Sequence, residues 1–251
     1  MGGYSQVLYQ KELLRAAFAK EKQFHIDRFV LITAQDYPLV SNDKMIEFYL
    51  SNPHKQILKG LDKTEYHKEA YEQFTLYHFL RDTKFRSPRI KQMFSFVARV
   101  LLRILPFRKN PYVVFDKQKW HIWQASSYMS LTRDCARYVF EMMNNKKICD
   151  YFKYSFVPEE KVIPTIVFNS QFKNEAMISE YKEYRGLIEL SALEEFYYGK
   201  SIKVYTEDDF EYLISTGKFF CRKVETNTSD KLMKLLDVHN GFIYDSKTNG
   251  M

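Results

Sequence analysis

Residues 29–39 decide the fold, and they read FVLITAQDYPL. Residues 29–33 form a short apolar run, which predicts a buried β-strand. The run leads directly into Asp36 and a turn at Pro38. An α/β sheet presents a carboxylate at the carboxyl end of a strand in this way. The stretch therefore predicts an α/β fold in which Asp36 follows a buried strand.

Helical and extended patterns alternate on both sides of this stretch. Apolar residues at helical spacing and capping residues predict the helices, and short apolar and aromatic runs predict the strands. The second helix is predicted to have Asn42 or Asp43 at its N-cap. Helices are predicted over 6–19, 43–49, 62–81, 93–107, 132–143, 206–217 and 229–236 and from residue 158 onward, with further strands over 112–115, 120–131, 202–205 and 219–221.

The composition fits a globular domain. The chain has 251 residues, 45% hydrophobic and 27% charged, so it can bury a sizeable core and is not a disordered chain. Three cysteines are too few for a disulfide-built secreted module and indicate a reducing compartment. No apolar run approaches the roughly 18–20 residues that a transmembrane helix needs. We predict a single domain over residues 1–240 and a polar tail over 241–251.

Positive charge is concentrated in one segment of the chain. The net charge is +7, and residues 83–115 contain eight basic residues and no acidic one. The rest of the chain holds 30 basic and 31 acidic residues, which gives it a net charge of −1. The whole excess of positive charge therefore lies between residues 83 and 115.

Residues 93–107 are predicted to form a basic amphipathic helix within this segment. Its apolar residues recur at helical spacing, and its arginines lie on another side. The apolar set is Phe94, Val97, Leu101 and Ile104, and the arginines are Arg99 and Arg103. The helix either covers part of the core while its arginines face water, or lies on an anionic membrane surface. Nucleic-acid binding is disfavoured, because the patch is rich in apolar residues and confined to one segment.

Familiar catalytic motifs are absent from the sequence. It contains no glycine-rich phosphate loop, no G-x-S-x-G and no HExxH, and its six histidines show no metal-ligand spacing. No D-x-D sequence offers the usual ligands of a metal-bound diphosphate. The remaining candidates are a carboxylate at a helix start, Glu160, the carboxylate Asp36, and two cations at a strand end, Arg222 and Lys223.

Four segments carry a resemblance to one enzyme family. Residues 29–39 look like its LLSGQDYPL strand and turn, and residues 125–133, ASSYMSLTR, look like its GSxxxxLSR segment. Residues 157–160, VPEE, look like its SPDE element, and residues 203–223, which include FFCRK, are similar to its LFARKF region. In this order, the segments resemble the core-2/I-branching β-1,6-N-acetylglucosaminyltransferase family, especially its bacterial members.

The resemblance implies a GT-A-type nucleotide-sugar fold, with a mixed sheet flanked by helices. It implies an inverting, metal-independent glycosyltransferase that needs no cofactor. The implied donor is a UDP-sugar, with UDP-N-acetylglucosamine as first choice, although other members of the wider family transfer xylose or glucuronic acid. The implied acceptor is a glycan hydroxyl in surface polysaccharide synthesis. We expect a bacterial cytoplasmic protein that residues 93–107 hold on the inner membrane face, near a lipid-linked acceptor.

The matched positions imply the catalytic residues. The last Glu of SPDE is the family's general base, which assigns this role to Glu160, because an acceptor hydroxyl must lose its proton as it attacks the anomeric carbon. Without a metal, fixed cations must stabilise the diphosphate leaving group. The match assigns Lys223 to this task, with Arg222 beside it. The second cation is Lys200 by ungapped spacing, and Lys203 is the competing choice.

Further residues are expected around the substrates. Asp36, Ser126 and Trp123 are expected in the donor and acceptor pocket. The aromatic residues that contact the acceptor are expected among Trp123, Tyr184 and Tyr198, and a packing role is the alternative for each of them.

Three departures from the family pattern qualify this resemblance. Ala125 stands where the family has Gly, and Val157 stands where it has Ser. Residues 1–5, MGGYS, resemble a WGGYS sequence that normally lies inside the domain, after the strands that hold uridine. We therefore expect the chain to lack the first strands of the domain. A non-catalytic remnant that does not hold uridine, and a basic membrane-surface binding protein, remain alternatives.

Overall fold

A computed structural model describes residues 3–64, 74–83, 87–104, 107–180, 186–199 and 201–242. The helices are α1 (Tyr4–Ala19), α2 (Asn42–Ser51), α3 (Pro88–Ile104), α4 (Arg133–Met142), α5 (Lys146–Phe152), α6 (Val162–Phe168), α7 (Phe210–Ser215) and α8 (Asp230–His239). The strands are β1 (Arg28–Leu31), β2 (Asp36–Pro38), β3 (Lys59–Asp62), β4 (Val113–Phe115), β5 (Gln118–Trp120), β6 (Trp123–Gln124), β7 (Met129–Thr132), β8 (Met177–Ile178), β9 (Glu194–Phe196) and β10 (Phe220–Arg222).

The strands form small sheets flanked by helices, which confirms the predicted α/β class. In the described part of the chain, β1 pairs antiparallel with β7, and β4 pairs with β5. One three-stranded sheet has the order β2-β10-β9, with β10 antiparallel to β2 and parallel to β9. Another has the order β6-β3-β8. The expected mixed sheet is thus divided into several pieces, and a bridge between Ile57 and Ser130 joins two of them.

Two hydrophobic cores support these sheets. The main core centres on α4 and α6, and every residue of α6 from Val162 to Phe168 is buried. A helix that is apolar on all sides belongs in a protein interior. The second core packs α7 and α8 under β10 and contains Leu39, Tyr205, Leu213, Cys221, Val224, Leu232 and Leu236. A smaller cluster of Ile57, Leu193 and Phe220 lies on the other face of β10.

Several local predictions are confirmed, and others are wrong in instructive ways. The N-cap of α2 is Ser41, whose side chain accepts a hydrogen bond from the Lys44 amide, and not Asn42 or Asp43. The strand over residues 29–33 exists as β1 but is half-exposed, because it pairs with β7 alone among the described strands. Residues 202–205 form only an isolated bridge. Within the described residues, the helix predicted over 62–81 is present only at residues 74–75, because Asp62 ends β3 and residues 76–81 are irregular.

Helix α3 confirms the predicted amphipathic helix but shows its apolar residues to the outside. Its contact with the body runs through Ser95, Ala98 and Leu102, which line a small cavity against residues 76–81. The predicted apolar face is exposed instead, with Ile104 75% exposed. The interpretation that α3 covers the core with this face is therefore wrong, because Phe94, Val97, Leu101 and Ile104 are all exposed. None of the helices in the described ranges combines enough length and apolar character to cross a membrane.

Candidate active site

Asp36 and Arg222 form a buried ion pair where β2 and β10 meet. The two residues are direct partners in the antiparallel register of these strands. The Asp36 side chain is fully buried, and its Oδ2 accepts a hydrogen bond of 2.6 Å from the Thr33 amide. Arg222 Nη1 donates to Thr33 Oγ1 at 2.6 Å and to Asp36 Oδ1 at 3.3 Å. Asp36 and Thr33 therefore hold the Arg222 guanidinium in one orientation.

Tyr128 packs against this pair. The Arg222 guanidinium lies 4.6 Å from the centre of the Tyr128 ring, which is a cation–π contact. Ser126 is buried, and its Oγ accepts a hydrogen bond of 3.2 Å from the Tyr128 amide, so it fixes the turn that carries the ring. Burial raises the pKa of the Tyr128 phenol to about 12. The hydroxyl therefore stays protonated near neutral pH.

Glu160 ends a short 3₁₀ helix, Pro158–Glu160, just before α6. Its Oε2 accepts a hydrogen bond of 2.9 Å from Gln124 Nε2, and its carbonyl accepts one of 3.0 Å from the Ala125 amide. Burial raises the pKa of the Glu160 carboxyl, while Lys161 and the Gln124 hydrogen bond oppose the rise. A carboxylate with a raised pKa is a stronger base than an exposed one, and that is the property a general base needs.

The two halves of the site meet at Tyr128. Burial is the main cause of the raised pKa of its phenol, and the charges of Asp36, Glu194 and Glu160 raise that pKa further, while Arg222 lowers it. The phenol therefore lies within electrostatic reach of Glu160 and of the Arg222 pair. This arrangement brings a candidate base and a candidate phosphate-binding cation into the surroundings of one tyrosine.

Two further cations lie beside Arg222. Lys223 Nζ contacts Glu225 Oε1 at 2.5 Å, and Lys203 Nζ contacts Asp209 Oδ1 at 2.5 Å. The Lys223 amide donates a hydrogen bond of 3.3 Å to the Lys203 carbonyl, so the structure brings both sequence-predicted lysines to the same edge. The competing candidate, Lys200, lies outside the described residues.

The expected aromatic contacts are distributed differently. Trp123 is buried in the main core, where its ring stacks on Phe168 with 4.4 Å between centroids, which is a packing role. Tyr198 is 67% exposed and forms the bridge with Ile202. Tyr184 lies outside the described residues.

Sequence reasoning missed four residues of this site. Gln124 directly precedes the matched segment 125–133 and Tyr128 lies within it, but nothing in their spacing marks them. Glu194 is an acidic residue within an apolar run, and that misplaced charge is a signal that could have identified it. Lys161 is fully buried, and its Nζ donates 2.7 Å and 3.3 Å hydrogen bonds to the Phe156 and Val157 carbonyls, which shape the turn before Glu160.

Comparison with known proteins adds one match to this geometry. The described residues contain no group of three or more His, Cys, Asp or Glu side chains that could hold a metal ion. A family model described as Core-2/I-Branching enzyme matches residues 1–182. The matched range contains Asp36, Tyr128 and Glu160, whereas Glu194 and Arg222 lie beyond it. Among the curated proteins, none matches the chain.

Proposed function

The chain belongs to the Core-2/I-branching enzyme family, which is a family of glycosyltransferases, and from that premise we propose its reaction in detail. The protein transfers a sugar, N-acetylglucosamine as first choice, from a UDP-sugar to a hydroxyl group of a glycan. The reaction inverts the anomeric centre and uses no metal. The fold is of the GT-A type, with which the family match and the small flanked sheets are consistent.

One observation supports this proposal above all others: Glu160 and Arg222 lie within reach of the same tyrosine. In an inverting transfer, the attacking hydroxyl and the leaving diphosphate lie on opposite sides of the anomeric carbon. A base and a cation on different elements, both close enough to influence Tyr128, are compatible with this requirement.

The transfer is a single displacement. The acceptor oxygen forms a bond to the anomeric carbon as the bond from that carbon to the diphosphate oxygen breaks. The acceptor proton passes to the Glu160 carboxylate, and the bonding electrons leave with UDP. Arg222 and Lys223 stabilise the negative charge that grows on the diphosphate, a role that a metal ion fills in other enzymes.

Gln124 and Lys161 prepare Glu160 for this role. The Gln124 amide holds one carboxylate oxygen, so the other oxygen remains for the acceptor. Lys161 donates a hydrogen bond to the preceding turn. Its buried positive charge lowers the pKa of Glu160 and so offsets part of the rise that burial causes. The base is therefore positioned by one neighbour and tuned by the other.

Isothermal titration with UDP, with and without Mg²⁺, tests this proposal. We expect saturable binding that does not change with the metal, because the cations of the site belong to the chain. A folded protein without any UDP response would support the non-catalytic remnant. Binding that requires Mg²⁺ would contradict the metal-independent mechanism.

We also propose that α3 holds the enzyme on an anionic membrane surface, at the bacterial inner membrane face, near a lipid-linked acceptor of surface polysaccharide synthesis. The support is the combination of exposed Phe96 and Ile104 on the helix with a segment, 83–115, that has basic and no acidic residues. Apolar side chains enter the interface while the basic ones meet lipid phosphates. Among the basic side chains of this segment that the structure describes, Lys109 is buried, and its Nζ donates to the Tyr151 carbonyl and Ser155 Oγ.

A further inference from the structure

Glu194, the first residue of β9, carries a buried carboxyl group. The residue is 1% exposed, and neither oxygen of its carboxyl group has a hydrogen-bond partner among the described residues. Buried polar groups are almost always paired, because an unpaired one loses its water contacts and gains nothing in return. A carboxyl group kept in this condition calls for a functional explanation.

The sheet register places Glu194 on the face that carries Arg222. In the parallel pair of β9 and β10, Glu194 lies opposite Phe220, and residues two apart on a strand share a face. Asp36 is the direct partner of Arg222 on the other side, so it shares this face as well. The adjacent Glu195 points the other way, and its Oε1 accepts a 2.7 Å hydrogen bond from the Tyr212 hydroxyl.

The positive charge of Arg222 does not explain the burial of Glu194 either. The Arg222 guanidinium is hydrogen-bonded to Asp36, so one cation serves two buried carboxyl groups. Burial, followed by the charge of Asp36, raises the pKa of Glu194 to about 9, and Arg222 only moderates the rise. At neutral pH the group is a carboxylic acid with one O–H donor and free acceptor sites. A sugar hydroxyl both donates and accepts, so it matches such a group.

The chemistry of transfer says what lies beside Glu194. The transferred sugar must occupy the space between the diphosphate, at Arg222, and the base, Glu160. Arg222 borders that space, and Glu194 lies on the same sheet face as Arg222, whose guanidinium packs on the Tyr128 ring at 4.6 Å. We infer that Glu194 hydrogen-bonds hydroxyl groups of the transferred sugar and thereby takes part in selecting the donor. This inference rests on the proposed function.

Titrations with UDP and with UDP-N-acetylglucosamine test the inference on the full chain. The variants are Glu194→Ala and the isosteric Glu194→Gln, with Glu195→Gln as the matched control on the opposite face. Loss of a hydrogen bond to an uncharged partner weakens binding roughly threefold to tenfold, so we expect a loss of about tenfold for the UDP-sugar in Glu194→Ala. UDP affinity should remain that of the wild type, and Glu195→Gln should change neither affinity.

Glu194→Gln keeps the shape of the side chain and the capacity to donate and accept, so it should lose less affinity than Glu194→Ala. It also keeps the inference testable if the alanine variant does not fold. Equal losses for UDP and UDP-sugar, or no loss in Glu194→Ala, would overturn the role of Glu194. A wild-type protein that binds neither ligand would instead overturn the proposed function, together with this inference. Because N-acetylglucosamine is the proposed donor sugar, Glu194→Ala should weaken the binding of UDP-xylose and UDP-glucuronic acid less than the binding of UDP-N-acetylglucosamine.

Discussion

The candidate site around Tyr128 and the helix α3 depart from the usual distribution of buried and exposed residues in opposite directions. In the site, the charged or ionisable side chains of Asp36 and Glu194 are buried. On α3, large apolar side chains such as Phe96 and Ile104 are exposed. Folding alone favours neither arrangement, because the first desolvates polar groups and the second leaves apolar surface in water. Under the proposed function, a bound sugar would complete the first region and a membrane surface would cover the second.

The main core shows what the chain does where folding alone decides. Every residue of α6 is buried and the helix is almost wholly apolar. The contrast suggests a way to separate function from packing in this protein. Substitutions in the site around Tyr128 or on α3 should reduce binding or activity more than they reduce stability, and some should raise stability.

Glu160→Gln should have the largest effect. The amide cannot accept the acceptor proton, so the transfer rate should fall by roughly 10²- to 10⁴-fold while UDP binding is kept. The matched control is Glu159→Gln, which changes the adjacent carboxyl group, whose pKa burial also raises, and should keep most of the rate. Transfer assays with purified variants measure both. Substantial turnover by Glu160→Gln would remove Glu160 from the role of base.

Arg222→Gln should have the next effect, on UDP affinity. Losing a charged hydrogen-bond donor costs about 1.5–3 kcal/mol, which corresponds to a loss of roughly 10- to 100-fold. The variant should also unfold at a lower temperature, because it leaves Asp36 as a buried charge without its cation.

A double variant separates these two effects of Arg222. Asp36→Asn combined with Arg222→Gln removes both charges and should recover much of the melting temperature without recovering UDP affinity. Lys231→Gln, an exposed cation on α8 that pairs with Glu207, serves as the control and should leave both quantities unchanged. Recovery of UDP affinity in the double variant would show that Arg222 does not bind the diphosphate.

Glu194→Gln should change how stability depends on pH. The folded protein holds the Glu194 proton up to a pKa of about 9. In the unfolded chain a glutamate releases its proton near pH 4.3. Between these values the folded state binds more protons, so Glu194 makes the free energy of unfolding fall as pH rises, by at most about 1.4 kcal/mol per unit.

Urea unfolding at about pH 6 and pH 7.5 measures this slope, which by the same linkage amounts to about 2 kcal/mol over the interval. Glu194→Gln removes the titrating group, so its stability should vary less than that of the wild type. The control Glu195→Gln should keep the wild-type slope. Identical slopes in wild type and Glu194→Gln would mean that the carboxyl group is charged or solvated in the folded protein.

Substitutions on α3 should have the smallest effect on the isolated enzyme. Phe96→Asn combined with Ile104→Asn removes apolar surface from the exposed face, and each side chain contributes up to about 1.5–3 kcal/mol when fully buried. We expect vesicles of anionic lipid to bind the variant at least about tenfold more weakly, with turnover of a water-soluble acceptor unchanged.

Leu50→Asn provides the matched control for α3, because Leu50 is 77% exposed but lies on α2. It should leave vesicle flotation unchanged. Binding of wild type should also weaken as salt is raised, since basic side chains contribute to it. Wild-type protein that fails to float with anionic vesicles even at low salt would contradict the membrane proposal.

Local signals in the sequence predict much of the fold. Periodicity and capping place α1, α4 and α8, and the helix predicted from residue 206 begins with a capping box between Thr206 and Asp209. Other features depend on contacts that no local pattern records. Whether an amphipathic helix turns its apolar side inward is decided by what packs against it, and the body meets α3 through Ala98 and its neighbours.

The same limit applies to the site. Motif resemblance identified Glu160 and Arg222 as candidates. In the structure Arg222 packs on Tyr128, and the charge of Glu160 raises the pKa of the same tyrosine. Glu194 was missed, because its significance arises only when β9 lies beside β10, and those strands are separated in the sequence by more than 20 residues of irregular chain and helix. Tyr128 was missed for the same reason: its partner Arg222 is distant in sequence.

The two parts of the candidate site are supported by different hydrophobic cores. Glu160 precedes α6 in the main core, whereas Arg222 ends β10, whose Cys221 belongs to the second core. Mutations that alter the core beneath one part of the site therefore need not disturb the other part. Under the proposed mechanism, this division allows acceptor specificity to change during evolution while the residues that stabilise the leaving group stay the same. It also gives protein engineering two separate places at which to alter specificity.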